Sequence, residues 1–197
     1  MSLEIGYNVF NEGLFPVKTD EDEITFICGR CDVTYAWYDK IFDGNYKDNL
    51  DNTCEVIVFN PKFDGHYMRD PNAPSYYLHM VYRPFKDFKK KVKRAIDDTV
   101  INHNETMIYL QHRIAEIRQE ISDYRDLQIK SATSAAFDGY QKLIEDRASD
   151  LVEEQDTLKG FDEDDYDFIH AKGVQQMLDN IEKHLAKGEV VTAYYSD

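Results

Sequence analysis

Two cysteines in the first third of the chain are spaced as in a zinc knuckle. Cys28 and Cys31 enclose a Gly-Arg pair, and in a knuckle a tight turn aims two such thiolates at one metal ion. Tetrahedral zinc needs two further ligands, and the candidates Cys54, His66 and His79 do not form a second close pair. Because Cys28 ends an apolar segment, where cysteine packs as a small hydrophobic side chain, we expect no resident cofactor. Structural zinc at Cys28 and Cys31 is the alternative.

A second candidate chemistry is that of carboxylates in the last third of the chain. Residues 131–197 hold 16 acidic and 6 basic side chains, whereas residues 84–130 hold 8 and 10. Carboxylates three or four residues apart on a helix lie about 6 Å from one another, which is not far from the spacing of phosphates along a nucleic-acid strand. This spacing permits mimicry of DNA, and the alternative is a solvated acidic face. The predicted partner-binding residues are Asp146, Asp150, Glu153, Glu154, Asp156, Asp162, Glu163, Asp164, Asp165 and Asp167.

The basic segment Lys86–Arg94 stands at the start of the predicted long helix, where positive charge opposes the helix dipole. Binding of phosphate or of an acidic membrane is one interpretation. We favour an internal clamp instead, because a chain that reverses near residue 132 brings this segment close to residues 170–178. The prediction is therefore that the protein binds no membrane.

Catalytic signatures are absent from the sequence. It contains no glycine-rich phosphate loop, G-x-S-x-G elbow, H-E-x-x-H motif or dinucleotide fingerprint. Asp162 and Asp164 begin like a calcium-binding EF-hand loop, but Tyr166 replaces the third ligand and the turn glycine is missing. These observations favour a protein that is not an enzyme; an unrecognised or zinc-dependent enzyme built on the first sheet is a further alternative.

The elements that must position these residues begin with short strands. Val, Ile, Thr and aromatic residues alternate between turn-forming residues in the first 83 positions, which predicts an antiparallel or mixed sheet. A short helix over residues 36–42 is the alternative to one of its strands. The predicted strands are Leu3–Phe10, Ile24–Cys28, Val33–Tyr38, Cys54–Phe59 and Tyr76–Tyr82.

A heptad pattern follows Pro84 and predicts a long helix that begins near Phe85. Ten positions follow one another by alternating steps of four and three, eight of them apolar, with no Gly or Pro between them. Such a pattern gives the helix a narrow buried seam, which closes either on the same chain or on a second copy in a homodimer. The seam positions are Ile96, Val100, His103, Met107, Leu110, Ile114, Ile117, Ile121, Tyr124 and Gln128.

Two polar residues interrupt this seam. Buried polar residues at seam positions specify the register of pairing at some loss of stability, and this is the role we expect for His103 and Gln128. A pH-sensitive contact or a ligand role is the alternative for His103.

The Ser/Ala/Thr-rich stretch Ile129–Ala136 is predicted to connect the long helix to a second one, and one continuous helix is the alternative. The second helix ends at Gly160 and has a weaker seam, which consists of Phe137, Tyr140, Ile144, Ala148, Leu151, Gln155 and Leu158. A third helix starts among Asp162–Asp167, presents Ile169, Met177, Leu178, Ile181 and Leu185, and ends before Gly188. Glu189–Tyr195 is predicted to be a final strand that returns to the first sheet. The fold class is α+β: a sheet, a long heptad helix in a helical hairpin or bundle, and a C-terminal strand. The predicted parts are residues 1–83, 84–188 and 189–197.

The net charge and the cysteine content narrow the classes of function and the compartment that this sequence suits. The net charge of −15 repels free nucleic acid and attracts basic proteins. Three cysteines and no signal-peptide pattern indicate a cytoplasmic protein. We therefore predict a non-enzymatic acidic protein that binds a macromolecular partner; an inhibitor that occupies a basic or nucleic-acid-binding protein surface is one form of this prediction. In composition alone the chain resembles small acidic inhibitors made by phages and mobile elements. A structural protein that oligomerises through the heptad helix is the alternative.

Overall fold

The computed structural model describes residues 3–10, 27–33, 35–42, 53–69 and 77–196. Within them one mixed sheet has the strand order β2-β1-β6-β3-β5-β4. All neighbouring strands are antiparallel except β3 and β5, which are parallel. The strands are β1 (Leu3–Phe10), β2 (Ile27–Val33), β3 (Thr53–Val58), β4 (Tyr67–Arg69), β5 (Tyr77–Tyr82) and β6 (Val190–Ser196).

The C-terminal strand lies in the middle of the sheet, as predicted. β6 pairs with β1 over its whole length, from Glu4 opposite Ser196 to Phe10 opposite Val190, and its other edge pairs with β3. The last described residues of the chain therefore join the first strand to the third. The predicted α+β class with a returning strand is confirmed.

The predicted strand Val33–Tyr38 is wrong from Tyr35 on, because these residues are helical, whereas Val33 ends β2. The helix α1 spans Tyr35–Phe42 and buries Trp37 and Ile41 on one side. Trp37 is completely buried, and its indole N–H donates a hydrogen bond to the carbonyl oxygen of Asp167. Positions four residues apart share one helix face, so the helical alternative over residues 36–42 was the correct one.

Two long helices, α2 (Phe85–Ile129) and α3 (Ser134–Asp164), are joined by a short connection over residues 130–133. Thr133 caps α3, because its hydroxyl accepts a hydrogen bond from the N–H of Ala136. The connection therefore lies within the Ser/Ala/Thr-rich stretch where the sequence predicted it. The predicted end of α3 at Gly160 is wrong, because the helix continues to Asp164.

The last helix, α4 (Tyr166–Ala186), ends two residues before Gly188. Gly188 has a φ of 77°, which glycine adopts without strain, and its N–H donates to the carbonyl of Leu185. This turn directs the chain into β6. Met177, Leu178 and Ile181 are buried as predicted, whereas Ile169 is 48% exposed.

The described chain packs as two compact units, residues 1–100 with 166–197 and residues 101–165. In the first unit one face of the sheet packs against apolar residues of α1, α2 and α4, and the opposite face holds a separate cluster around Val58 and Met80. The second unit is the helical hairpin made of the rest of α2 and of α3. No helix in the described ranges is long and apolar enough to cross a membrane.

Candidate partner-binding surface

The heptad seam of α2 faces inward. Every one of its ten predicted positions is buried or half-buried. In the second unit Ile117 and Ile121 form a cluster with Ile144 of α3, and Tyr124 and Leu151 pack against its edge. In the first unit Ile96 packs against the main core. The described seam is thus covered by residues of the same chain.

The inward face of α3 differs from the prediction, which included Ala148 and Gln155. Both are exposed, and the half-buried positions beside them are Arg147 and Glu154. The complete inward series again advances by steps of four and three, but it includes charged residues. It consists of Tyr140, Ile144, Arg147, Leu151, Glu154, Leu158, Phe161 and Asp165.

Ion pairs join these charged positions to α2. The Nε of Arg147 lies 2.8 Å from the Oε2 of Glu120, and Arg113 lies 3.8 Å from Glu154. Among the described residues, the Oε2 of Glu120 accepts no hydrogen bond of good geometry. Its contact with Arg147 is therefore an attraction between charges. A hydrogen bond from Arg147 to Asp150, followed by the charge of Glu120, raises the pKa of Arg147 above its usual value. Arg147 is therefore cationic at all physiological pH values.

His103 lies at the other end of the hairpin and makes a specific contact with α3. It is 6% exposed, its Nδ1 is 2.8 Å from the Oδ2 of Asp165, and its ring stacks on Phe161 with 5.3 Å between centroids. At the opposite end Gln128 donates to the amide oxygen of Gln141. Polar contacts at both ends fix the register of the hairpin, which is the role expected for His103 and Gln128.

The structure divides the ten predicted partner-binding acids into three groups. Asp150, Glu154 and Asp165 contact Arg147, Arg113 and His103 within the hairpin. Asp167 is half-buried and belongs to the first unit. The exposed members, none of which has an ion pair within the described part of the chain, are Asp146, Glu153, Asp156, Asp162, Glu163 and Asp164.

These exposed acids are part of an outward acidic face on α3, which we define as its exposed carboxylates Asp138, Glu145, Asp146, Glu153, Asp156, Asp162, Glu163 and Asp164. Only Lys142 and Lys159 are exposed bases on this helix. The last turn of α3 contains three carboxylates and no base, although negative charge at a helix C-terminus is unfavourable. The face therefore has a strong negative potential that α3 itself does not neutralise.

The basic segment at the start of α2 is bound within the first unit. Lys89 pairs with Glu182 of α4, and Arg94 lies 3.7 Å from Asp98. Phe88, Val92 and Ala95 pack with α4 residues from Ala171 to Ile181. The predicted proximity to residues 170–178 is therefore observed, but the acid that binds Lys89 lies beyond the stretch Glu153–Asp167.

The tight turn of a zinc knuckle, which the sequence offered as an alternative at Cys28 and Cys31, is absent, because residues 27–33 form a continuous strand. Cys28 lies opposite Asn8 and Cys31 opposite Ile5 in the register with β1. Positions three apart in a strand fall on opposite faces of the sheet, so this backbone does not aim the two positions at one metal ion. Among the described residues no group of three or more metal-binding side chains is close enough to hold an ion.

Comparisons with known proteins found no family model, characterised protein or solved structure that matches this chain.

Sequence reasoning did not separate the acids that face α2 from those that face outward. The signal that separates them is the heptad phase of α3, continued through charged positions. Counted from Ile144, Leu151 and Leu158, that phase places Arg147 and Glu154 inward and Glu153 and Asp156 outward.

Proposed function

We propose that this chain is a non-enzymatic acidic protein that binds a partner with a basic surface through the outward acidic face of α3. The observation that carries the proposal is the division of the carboxylates: those toward α2 contact bases or His103, whereas the exposed ones have no ion pair among the described residues. An unneutralised row of charge on a rigid helix attracts and orients an oppositely charged partner.

The charge density of the face bears on which partner fits. Its eight carboxylates extend from Asp138 to Asp164, a distance of about 39 Å at the rise of an α-helix. This is about one charge per 5 Å, compared with about one per 1.7 Å for duplex DNA and 3.4 Å for one strand. The face resembles a single strand more closely than a duplex, so a basic groove that holds a single strand or an acidic protein segment suits it best.

The test compares two triple variants that change the charge equally. The outward variant combines Glu153→Gln, Asp156→Asn and Glu163→Gln; the control combines Glu105→Gln, Asp123→Asn and Asp126→Asn, all exposed on α2 in the same unit. Tagged proteins are used to capture partners from lysate at low salt, and mass spectrometry identifies them.

The proposal predicts that the wild type and the control retain the same basic protein, that the outward variant loses it, and that raised salt releases it. Equal retention by all three proteins, or capture of no basic protein, would contradict the proposal.

A further inference from the structure

A second surface with unusual composition lies in the first unit, on the part of the sheet formed by β3, β5 and β4. The strand register places Glu55 beside His79, and His79 beside Tyr67, in one row across the sheet. Tyr77 lies on the same face, two residues before His79. Tyr67 is 59% exposed and Tyr77 is 47% exposed. Ile57, on the same face as Glu55, packs against the main core, so the two exposed rings lie beside the part of this face that the helices cover.

The opposite face of the same strands is buried and holds these residues in place. Val56, Leu78 and Met80 are no more than 3% exposed and belong to one apolar cluster, with Met68 of β4 beside them. Because alternate residues of a strand point to opposite faces, the buried side chains fix the positions of the exposed row. The surface is therefore built on a rigid element.

The rings on this face are already arranged for stacking. Tyr67 and His79 stack with 4.6 Å between centroids and an interplanar angle of 19°. Tyr77 is the diagonal neighbour of Tyr67 across the pair of strands, and diagonal neighbours lie about 7–8 Å apart. A planar group can contact Tyr77 and the exposed side of Tyr67 together.

The charge beside the rings is negative and unpaired. Glu55 is exposed, and within the described ranges its carboxylate has no ion pair or hydrogen bond. Aromatic faces attract cations, and a guanidinium group also binds a carboxylate through two parallel hydrogen bonds. We propose that this face binds two arginine side chains of a basic peptide, with one guanidinium stacked on the exposed side of Tyr67 and the other bonded to Glu55.

The experiment titrates the whole protein with a short glycine-rich peptide that contains two arginines, and with the same peptide in which citrulline replaces them. Citrulline keeps the shape of arginine and removes its charge. Backbone amide shifts report the site and the affinity. We expect shifts at Tyr67, Tyr77 and His79 with the arginine peptide, and at least fivefold weaker binding of the citrulline peptide.

Variants then locate the contact. Tyr67→Leu and Glu55→Gln should each weaken binding about fivefold, whereas Tyr109→Leu, at an equally exposed tyrosine of α2, should leave it unchanged. Amide spectra of each free variant establish that it is folded.

Two results would overturn the inference: equal binding of the citrulline peptide, or an equal effect of Tyr109→Leu. The inference is independent of the proposed function, because the outward variant of α3 should leave this titration unchanged. A loss of peptide binding in that variant would mean general charge attraction and would also overturn it.

Discussion

Gly6 of β1 is a position where one added methyl group should destabilise the sheet. It lies opposite Tyr194 of β6, and a Cβ built on Gly6 would be 2.4 Å from Cζ, 2.5 Å from Oη and 2.8 Å from Cε1 of that ring. All three distances are shorter than any normal carbon contact, so the ring has to move. Tyr194 packs against the cluster around Val58 and Met80, and such overpacking costs about 1–3 kcal/mol. For a chain of this size, about 2 kcal/mol corresponds to a fall in Tm of about 4–8 °C.

The assay is thermal and urea unfolding of Gly6→Ala, alone and combined with Tyr194→Leu. Leucine lacks the three ring atoms that the methyl group would meet, so Gly6→Ala in the Tyr194→Leu background should be neutral or should gain a few tenths of a kcal/mol. Gly139→Ala in α3 is the matched control, since a Cβ there meets nothing within 4 Å, and it should stabilise by about 0.5–1 kcal/mol. An unchanged Tm for Gly6→Ala, or the same loss with and without Tyr194, would refute the packing described for this strand pair.

Three further predictions concern stability. Ile117→Ala should lower the free energy of unfolding by about 2–4 kcal/mol, because the side chain is 1% exposed in the hairpin core. Ile108→Ala, at a position that is 64% exposed, should lower it by less than about 0.5 kcal/mol. Equal losses for the two variants in urea unfolding would contradict the buried seam. Asp165→Ala should cost about 1–2 kcal/mol because it removes a partner of buried His103, while Asp165→Asn should retain part of the contact; equal unfolding midpoints for the two would argue against it. Thr192→Val should stabilise by about 1 kcal/mol in the same assay, since the Thr192 hydroxyl is buried without a hydrogen-bond partner in the described part of the chain; a destabilised variant would show that the hydroxyl is bonded.

The helical part of the fold was predictable because its signals are local. The heptad of α2 predicted the helix and its buried face, and Pro84 and Gly188 marked the start of α2 and the end of α4. The strand at residues 33–38 was wrong because Trp37 and Ile41 suit both a strand and a helix. Only packing against the core decides between the two-residue period of a strand and the 3.6-residue period of a helix.

The candidate surface was only partly predictable, because exposure depends on the partner helix. Arg147 and Glu154 look like surface residues in the sequence, yet they lie toward α2 and contact Glu120 and Arg113. The prediction followed apolar residues and therefore placed Ala148 and Gln155 on the inward face instead. The separation of inward from outward carboxylates follows from this pairing.

The row of Glu55, His79 and Tyr67 was not predictable at all. Its strand β4 is three residues long, too short for an alternating pattern, and the row depends on pairing between strands distant in sequence. No local motif joins these three residues. Register alone brings them together.

The central claim is that the outward acidic face of α3 binds a basic partner, and its most direct test is the salt dependence of that complex. The affinity of the captured partner is measured at salt concentrations from about 50 to about 200 mM for the wild type, the outward variant and the α2 control. We predict that the outward variant binds more weakly and with a smaller salt slope, while the control matches the wild type. Equal slopes for all three proteins would contradict the claim.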